Sequence, residues 1–309
     1  MNQIICGDVL SVLSTLPPQS VDLVFGSPPY EDARTYGIDF KLKGQDWVDW
    51  MVEVYKQSLR VSKGLVAFVV AGRTRKFAWS CTPALLIADL HRAGMTVREG
   101  PYYVRSGIPG SGGPDWLRHE LEYVVSVSHY GRLPWSDNTA MGGEPKYGPG
   151  GNPTHRKKDG KRVRMVFQRS ADKSAVSERY EQGAGGVKET QFYKPPKRAN
   201  PGNVVRCSGG HLGSKLAHEN EAPFPEKLAE FMIRSFCPPG GMMLDPFCGS
   251  GTSCAVAKKF GRNYTGIDVR WSQVELTGRR LSDITFGEEL TEKISLIVEK
   301  ECSNHWKGK

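Results

Sequence analysis

Val21-Asp22-Leu23-Val24-Phe25-Gly26-Ser27-Pro28-Pro29-Tyr30 opens as a run of branched and aromatic residues and halts at a serine and two prolines. The run has the composition of a buried strand. Proline donates no ladder hydrogen bond, fixes its own φ and restricts the residue before it. Ser27, Pro28 and Tyr30 are therefore expected to be held stiffly at a strand's carboxyl end, the edge where open parallel sheets bind ligands. Taken alone, the stretch reads equally well as a strand leaving its sheet through a proline turn.

Upstream, Gln3–Cys6 reads as a strand ending at Gly7-Asp8, and apolar residues at 9, 10, 12, 13 and 16 mark a short helical face. Strand, helix and strand within thirty residues make a βαβ unit and hence a parallel sheet. Asp8 suits the cap of that helix. Downstream, residues 31–44 read as a loop over the sheet edge, 46–61 as an amphipathic helix and 64–70 as a buried strand. A helix with proline in its first turn spans 83–94, and 101–105 and 121–127 are strand candidates.

From residue 131 to 215 Gly, Pro, Asn, Lys and Arg dominate, and no period persists beyond a few residues except over 163–168. The net charge of the chain is +9, and residues 141–215 carry sixteen Lys/Arg against six Asp/Glu, which accounts for the whole excess. A disordered basic linker is one reading. Trp135, Tyr147, Phe167, Tyr180, Phe192 and Tyr193 interleave with the charges, which favours an insert that neutralises a nucleic-acid backbone and stacks on bases.

No apolar run approaches the ~18–20 residues of a membrane span, and the N-terminus lacks a signal-peptide pattern. A soluble, cytoplasmic protein without a membrane partner is expected. Seven scattered cysteines without a CxxC pair fit reduced thiols. Cys207, His211 and His218 lack a second spaced pair, so no metal site is expected.

Regular structure returns with a helix over 225–236. Met242-Met243-Leu244-Asp245-Pro246-Phe247-Cys248-Gly249-Ser250-Gly251-Thr252 then reads as strand, glycine loop and helix. A strand over 263–267 closes on Asp268, and a helix follows over 271–281. The glycines let a ligand approach the backbone at a helix N-terminus. Asp268 stands nineteen residues after Gly249, the spacing at which an acid reads ribose hydroxyls. The order implies an adenosine-containing cofactor. A GxGxxG is missing, which disfavours a nicotinamide dinucleotide, and no Gly-Lys-Ser/Thr makes a phosphate cradle.

LDPFCGSGT together with a strand-closing SPPY resembles the DNA amino-methyltransferases, which methylate N4 of cytosine or N6 of adenine from S-adenosyl-L-methionine. SPPY first and the cofactor loop late is similar to the family's β arrangement. That arrangement implies an α/β, doubly wound, mostly parallel Rossmann-like sheet with an inserted irregular recognition region. The resemblance covers roughly residues 3–130 and 216–282. Gly7-Asp8, Arg118-His119-Glu120, Asn200-Pro201-Gly202, and His218 with Ala222-Pro223-Phe224-Pro225-Glu226-Lys227 extend it. It divides the chain into a catalytic half at 1–130, a target-recognition insert at 131–215, a cofactor half at 216–282 and a C-terminal helix or tail at 283–309.

The resemblance also implies roles. Asp245, Pro246, Phe247, Cys248, Gly249, Ser250, Gly251 and Thr252 would wrap the cofactor, with Asp268 on its ribose, Asp8 near its adenine, and Phe224 and Pro225 closing the methionine side. Ser27 and Pro28 would accept the hydrogens of a flipped base's amino group, stiffened by Pro29, and Tyr30 would offer a stacking face. Positioning and electrostatics would carry catalysis without a covalent intermediate. No cysteine follows a proline, which argues against C5 methylation. Arg156, Lys157, Lys158, Lys161, Arg162, Arg164, Lys197 and Arg198 are expected on double-stranded DNA. Ser27 resembles the N4-cytosine subgroup, whereas adenine enzymes mostly carry Asp or Asn there; adenine N6 is the alternative because the Ser rule has exceptions and Gly26 departs from the usual Thr. RNA or protein methylation and a non-catalytic DNA-binding protein are further readings. A bacterial or phage-infected host and a separate cognate restriction endonuclease would fit the family.

Overall fold

In the central strand at Val21–Gly26 every residue but Asp22 is buried, so both faces of the sheet are covered there. The structure, a computed structural model, describes residues 2–31, 40–106, 112–144, 154–156, 162–164, 197–208, 224–282 and 295–298. In chain order its elements are β1 (Gln3–Cys6), α1 (Val9–Thr15), β2 (Val21–Gly26), α2 (Gly44–Val61), β3 (Ser62–Val70), β4 (Thr74–Arg75) and β5 (Ala78–Trp79). Next come α3 (Thr82–Arg92), β6 (Thr96–Arg98), β7 (Tyr102–Ser106), β8 (Leu121–Ser128), β9 (Thr154–Arg156), β10 (Arg162–Arg164) and β11 (Val204–Ser208). The remainder are α4 (Glu226–Phe236), β12 (Met242–Asp245), α5 (Thr252–Lys259), β13 (Asn263–Asp268), α6 (Trp271–Ser282) and β14 (Ser295–Val298).

The main sheet runs β11-β7-β8-β3-β2-β12-β13-β1-β14, with β6 beside β8. The strands from β3 through β14 in that order are parallel, while β8 runs antiparallel to β3, β6 and β7. Consecutive strand residues go to opposite faces, as a period of two requires. Ile4, Leu23, Leu65 and Met243 pack with α4, α5 and α6 through Leu228, Met232, Cys254 and Val274. Ile5, Val24, Val66 and Leu244 pack with α1, α2 and α3 through Leu13, Trp47, Met51, Tyr55 and Leu86. Each such large apolar side chain contributes about 1.5–3 kcal/mol by leaving water. The sheet is thus doubly wound and mostly parallel, as expected.

Three features depart from the sequence reading. The short strands β4, β5, β6 and β9 are not predicted by the sequence pattern. Val204–Ser208, expected within the irregular insert, forms an edge strand parallel to β7 with Val204 opposite Tyr102. Its Pro-Gly-Asn approach masks the strand signal, and the partner about 100 residues earlier supplies what the local sequence lacks. Ser295–Val298, expected in a helix or tail, is a strand parallel to β1 on the opposite edge.

The chain divides into two compact units, Met1–Met141 with Gly202–Lys309, and Gly142–Pro201. The insert was expected at 131–215. Within the second unit β9 and β10 form an antiparallel hairpin with Arg162 opposite Arg156, and the Ala199 N–H donates to the Gly143 carbonyl at 2.9 Å. No helix among the described residues is long and apolar enough to cross a membrane.

Candidate active site

Because β1, β2, β12 and β13 are parallel neighbours, Asp8, Ser27, Asp245 and Asp268 all fall at one edge of the sheet. Backbone bonds lace that edge: Gly7 N–H donates to the Asp268 carbonyl at 3.0 Å, and Cys248 N–H to that of Ile267 at 2.8 Å. The Asp8 carboxylate caps α1, accepting from the backbone N–H and hydroxyl of Ser11, each at 3.0 Å.

Between β12 and α5 the chain turns through Gly249 at φ +50° and Gly251 at φ +74°, conformations glycine adopts without strain. A Cβ on Gly251 would lie 2.5 Å from Thr277 Cγ2. The Thr277 hydroxyl donates to the Gly249 carbonyl at 2.7 Å. Arg280, only 2 % exposed, donates to the Ser250 carbonyl at 3.2 Å, to the Thr252 hydroxyl at 2.9 Å and to Glu226 Oε1 at 2.7 Å. One guanidinium thus ties the glycine loop to the start of α4, beside Phe224 and Pro225.

Asp268 accepts from Gly249 N–H at 3.0 Å and Arg270 N–H at 2.9 Å. Burial raises its carboxyl above the usual range, and the Arg270 charge opposes that rise. Each oxygen has lone-pair capacity left for ribose hydroxyls. Asp245 is 1 % exposed and accepts from Phe247 N–H at 3.0 Å through Oδ1. Its Oδ2 is buried without a hydrogen bond among the described residues. Burial pushes its carboxyl up to about 7, with the Phe247 N–H easing the charge and Asp268 adding to the rise.

The other loop residues serve packing. The Phe247 ring meets Trp50 and Phe68 at 5.7 and 5.8 Å between centroids. Cys248 is buried, and its thiol is pushed well up by that burial, so no reactive thiolate sits in the loop. Phe224 meets Phe25 of β2 edge-on at 5.4 Å, joining the segment before α4 to the strand that ends just before Ser27.

Ser27-Pro28-Pro29-Tyr30 is clamped from three directions. The Ser27 hydroxyl donates to the Val69 carbonyl at 3.4 Å, and Trp47 Nε1 donates to the Pro29 carbonyl at 2.9 Å. The Tyr30 hydroxyl donates to Glu122 Oε2 at 2.7 Å, and Arg105 pairs with the same carboxylate at 2.9 Å. Burial and then the Glu122 charge hold the Tyr30 phenol well above its ordinary pKa, so it stays a donor. The next residue, Glu31, accepts from Gly44 N–H at 3.1 Å and the Thr82 hydroxyl at 2.9 Å.

Glu122, Arg105, Thr277 and Arg280 do not stand out from the sequence, and Trp47 does so only as an inward position of its amphipathic helix. A signal existed for two of them. Glu122 shares the strand phase of buried Val124 and Ser126, and Arg280 shares the inward helical face of Thr277. A charge on a buried face calls for a partner.

Of the basic residues expected on DNA, Arg156, Arg162 and Arg164 lie on the β9–β10 hairpin and Lys197 and Arg198 are exposed in the same unit. Lys157, Lys158 and Lys161 lie outside the described residues. Among the described residues no cluster of His, Cys, Asp and Glu is placed to hold a metal. Cys207 is buried on β11, and His211 and His218 lie outside the described residues.

Three comparisons bear on this edge. The sequence model of the N6_N4_Mtase family, DNA methylase, matches residues 21–279. The DNA adenine methyltransferase YhdJ of Escherichia coli K12 is 26% identical over 287 residues, covering 90% of this chain and 82% of the relative. Two solved structures share the fold. The cytosine-N4-specific PvuII DNA methyltransferase superposes with a TM-score of 0.64 at 19% identity, over 92% of this chain and 89% of that one. A DNA modification methylase of Thermus thermophilus, TTHA0409, in complex with S-adenosyl-L-methionine, superposes with a TM-score of 0.54 at 22% identity, over 91% and 93%.

Proposed function

The chain belongs to the N6/N4 DNA methylase family, and from that premise we propose that it methylates the exocyclic N4 of a flipped cytosine in double-stranded DNA. It is an S-adenosyl-L-methionine-dependent DNA methyltransferase. The observation that carries the reading is the adjacency of the two motifs, since Ser27 and the glycine loop leave neighbouring parallel strands β2 and β12 at the same edge.

When bound, the cofactor would supply a methyl carbon on a sulfonium sulfur, open to in-line attack, with the sulfur leaving as a neutral thioether. The residues fit such a group: a buried carboxylate with an unsatisfied oxygen, Asp245, suits a ligand carrying positive charge. Asp268 is to hold the ribose hydroxyls, Gly249 to Thr252 to admit the cofactor against bare backbone, and Asp8, Phe224 and Pro225 to close its two ends. Phe247 and Cys248 hold the loop from beneath.

The amino nitrogen of cytosine is conjugated with its ring and is a weak nucleophile. Ser27 Oγ and the Pro28 carbonyl are to accept its two hydrogens, drawing the lone pair out of conjugation toward the methyl carbon. One of those protons leaves the nitrogen after transfer, toward these acceptors or water. Tyr30 is to stack on the base while its hydroxyl stays pinned on Glu122. Preorganised acceptors aimed at developing charge are worth several kcal/mol of barrier, so no covalent intermediate is needed.

Ser27 and the PvuII likeness favour cytosine, and the similarity to the E. coli adenine enzyme favours the second reading, adenine N6. The unit Gly142–Pro201, with Arg156, Arg162, Arg164, Lys197 and Arg198, is to carry the DNA backbone and the target sequence. A cognate endonuclease on a separate chain belongs to the same proposal. The test is methylation of genomic duplex DNA followed by nucleoside mass spectrometry. N4-methylcytosine is expected, and N6-methyladenosine in its place would install the second reading.

A further inference from the structure

Between β3 and α3 the chain makes a two-strand hairpin, Thr74–Arg75 against Ala78–Trp79, whose turn is Lys76-Phe77. Both turn residues have positive φ, +48° and +64°. Asn-Gly is the usual occupant of such a turn, and a bulky aromatic there is strained. The strain serves no burial, since Phe77 is 70 % exposed and residues 74–79 are all exposed. Its ring meets Trp116 edge-on at 5.5 Å, and the neighbouring Leu117 is 93 % exposed. The result is an apolar prow of Phe77, Trp116 and Leu117. Charge around it is mixed but mostly positive: Arg73, Arg75, Lys76 and Arg118 stand against Asp115 and Glu120, and Glu120 pairs with Arg118.

The prow lies at the active edge. The hairpin follows the carboxyl end of β3, and the Trp116 loop precedes β8, which pairs antiparallel with β3 through Val70 and Tyr123. The hairpin is also keyed to the base-clamping segment. Ser80 closes its base, donating its N–H to the Arg73 carbonyl at 2.9 Å and accepting Arg73 N–H on its hydroxyl at 3.0 Å. That hydroxyl is 3.2 Å from the Thr82 hydroxyl, which donates to Glu31, the residue after Tyr30.

We propose that this hairpin is a wedge: Phe77 enters the base stack of duplex DNA and fills the place that the target base vacates on flipping. The inference rests on the functional reading above. An exposed ring flanked by cations suits a stack of bases between phosphates, and apolar wedges are a general means of opening a duplex step.

The experiment compares wild type, Phe77→Ala and Phe77→Trp on short duplexes carrying the site that the wild type methylates. One duplex is fully paired and the other has an abasic position opposite the target. Flipping costs least where pairing is already lost, so Phe77→Ala is expected to slow methylation of the paired duplex about tenfold or more while staying within about twofold of wild type on the abasic one. Phe77→Trp should recover most of the paired-duplex rate, and 2-aminopurine at the target should brighten less with Phe77→Ala. An equal loss on both duplexes, or no loss on either, overturns the wedge. So does a change from dimer to monomer in Phe77→Ala, which would make the prow a contact between two copies. Failure of the wild type on every duplex overturns the functional reading itself, and the wedge with it.

Discussion

A Cβ on Gly26 would lie 2.2 Å from Asp245 Oδ1 and 3.0 Å from its Cγ. Gly26 ends β2 just before Ser27, and Asp245 ends β12 just before the glycine loop, so the two motifs meet through this contact. The usual Thr before SPPY has no room here, because the carboxylate occupies the space a side chain would need.

Gly26→Ala must displace the Asp245 carboxylate, and overpacking of this kind costs about 1–3 kcal/mol. The substitution is expected to lower the melting temperature and weaken S-adenosyl-L-methionine binding together. Calorimetric titration alongside thermal unfolding checks this, and an unchanged cofactor affinity would separate the two motifs.

Asp245 titrates at about 7 when folded and buried, against an ordinary 3.8, and Asp268 is raised in the same direction. Between those values the folded protein keeps a proton that the unfolded chain releases, so the ligand-free protein loses stability as pH rises. The contribution is full below about pH 4 and gone once pH passes about 7. Asp245→Asn should flatten this slope. Since a bound cation favours the ionised form, the cofactor's thermal shift should be larger at about pH 8 than at about pH 6. Melting temperatures across that range, with and without cofactor, decide it.

Tyr30→Phe leaves Glu122, which is 3 % exposed, with Arg105 as its charged partner. Losing a hydrogen bond to a buried charge costs about 1–3 kcal/mol. Turnover should fall for this variant, and further for Ser27→Ala and Tyr30→Ala, with cofactor affinity little changed. Steady-state rates beside cofactor titration test the split.

Asp268→Ala should weaken cofactor binding without abolishing folding. Arg280→Met should weaken cofactor binding and also lower stability, because it removes the charged partner of Glu226 and frees the glycine loop. Arg280 is buried but the Glu226 side chain is 26 % exposed, so the cost comes mainly from the lost hydrogen bonds to Ser250 and Thr252, about 1–3 kcal/mol. Denaturant unfolding separates the two variants, and equal stability for both would remove Arg280 from this role.

Replacing Arg156, Lys157, Lys158, Lys161, Arg162 and Arg164 by Gln should weaken DNA binding roughly uniformly across sequences. The slope of log affinity against log salt should flatten by about one unit per lost phosphate contact. Fluorescence anisotropy at several salt concentrations reads this directly, and an unchanged slope would take the hairpin off the backbone.

The amino-acid sequence by itself determined the α/β order, both motifs, the family and the location of the basic excess. Each of those is a local pattern: an apolar period, a proline stop, a glycine turn, a charge count. The positive φ of Gly251 and the cap made by Asp8 follow the same logic, because backbone geometry and capping are decided within a few residues. Only the tertiary structure decided which partners those local features find. Val204–Ser208 becomes a strand because Tyr102–Ser106 offers an edge, and Ser295–Val298 because β1 does. Tyr30 finds Glu122 across 92 residues, Ser250 finds Arg280, and Gly26 must stay bare because Asp245 arrives from the far half of the chain. Contacts of that span depend on sheet order, which sets strands from distant segments side by side, and no local pattern carries that order.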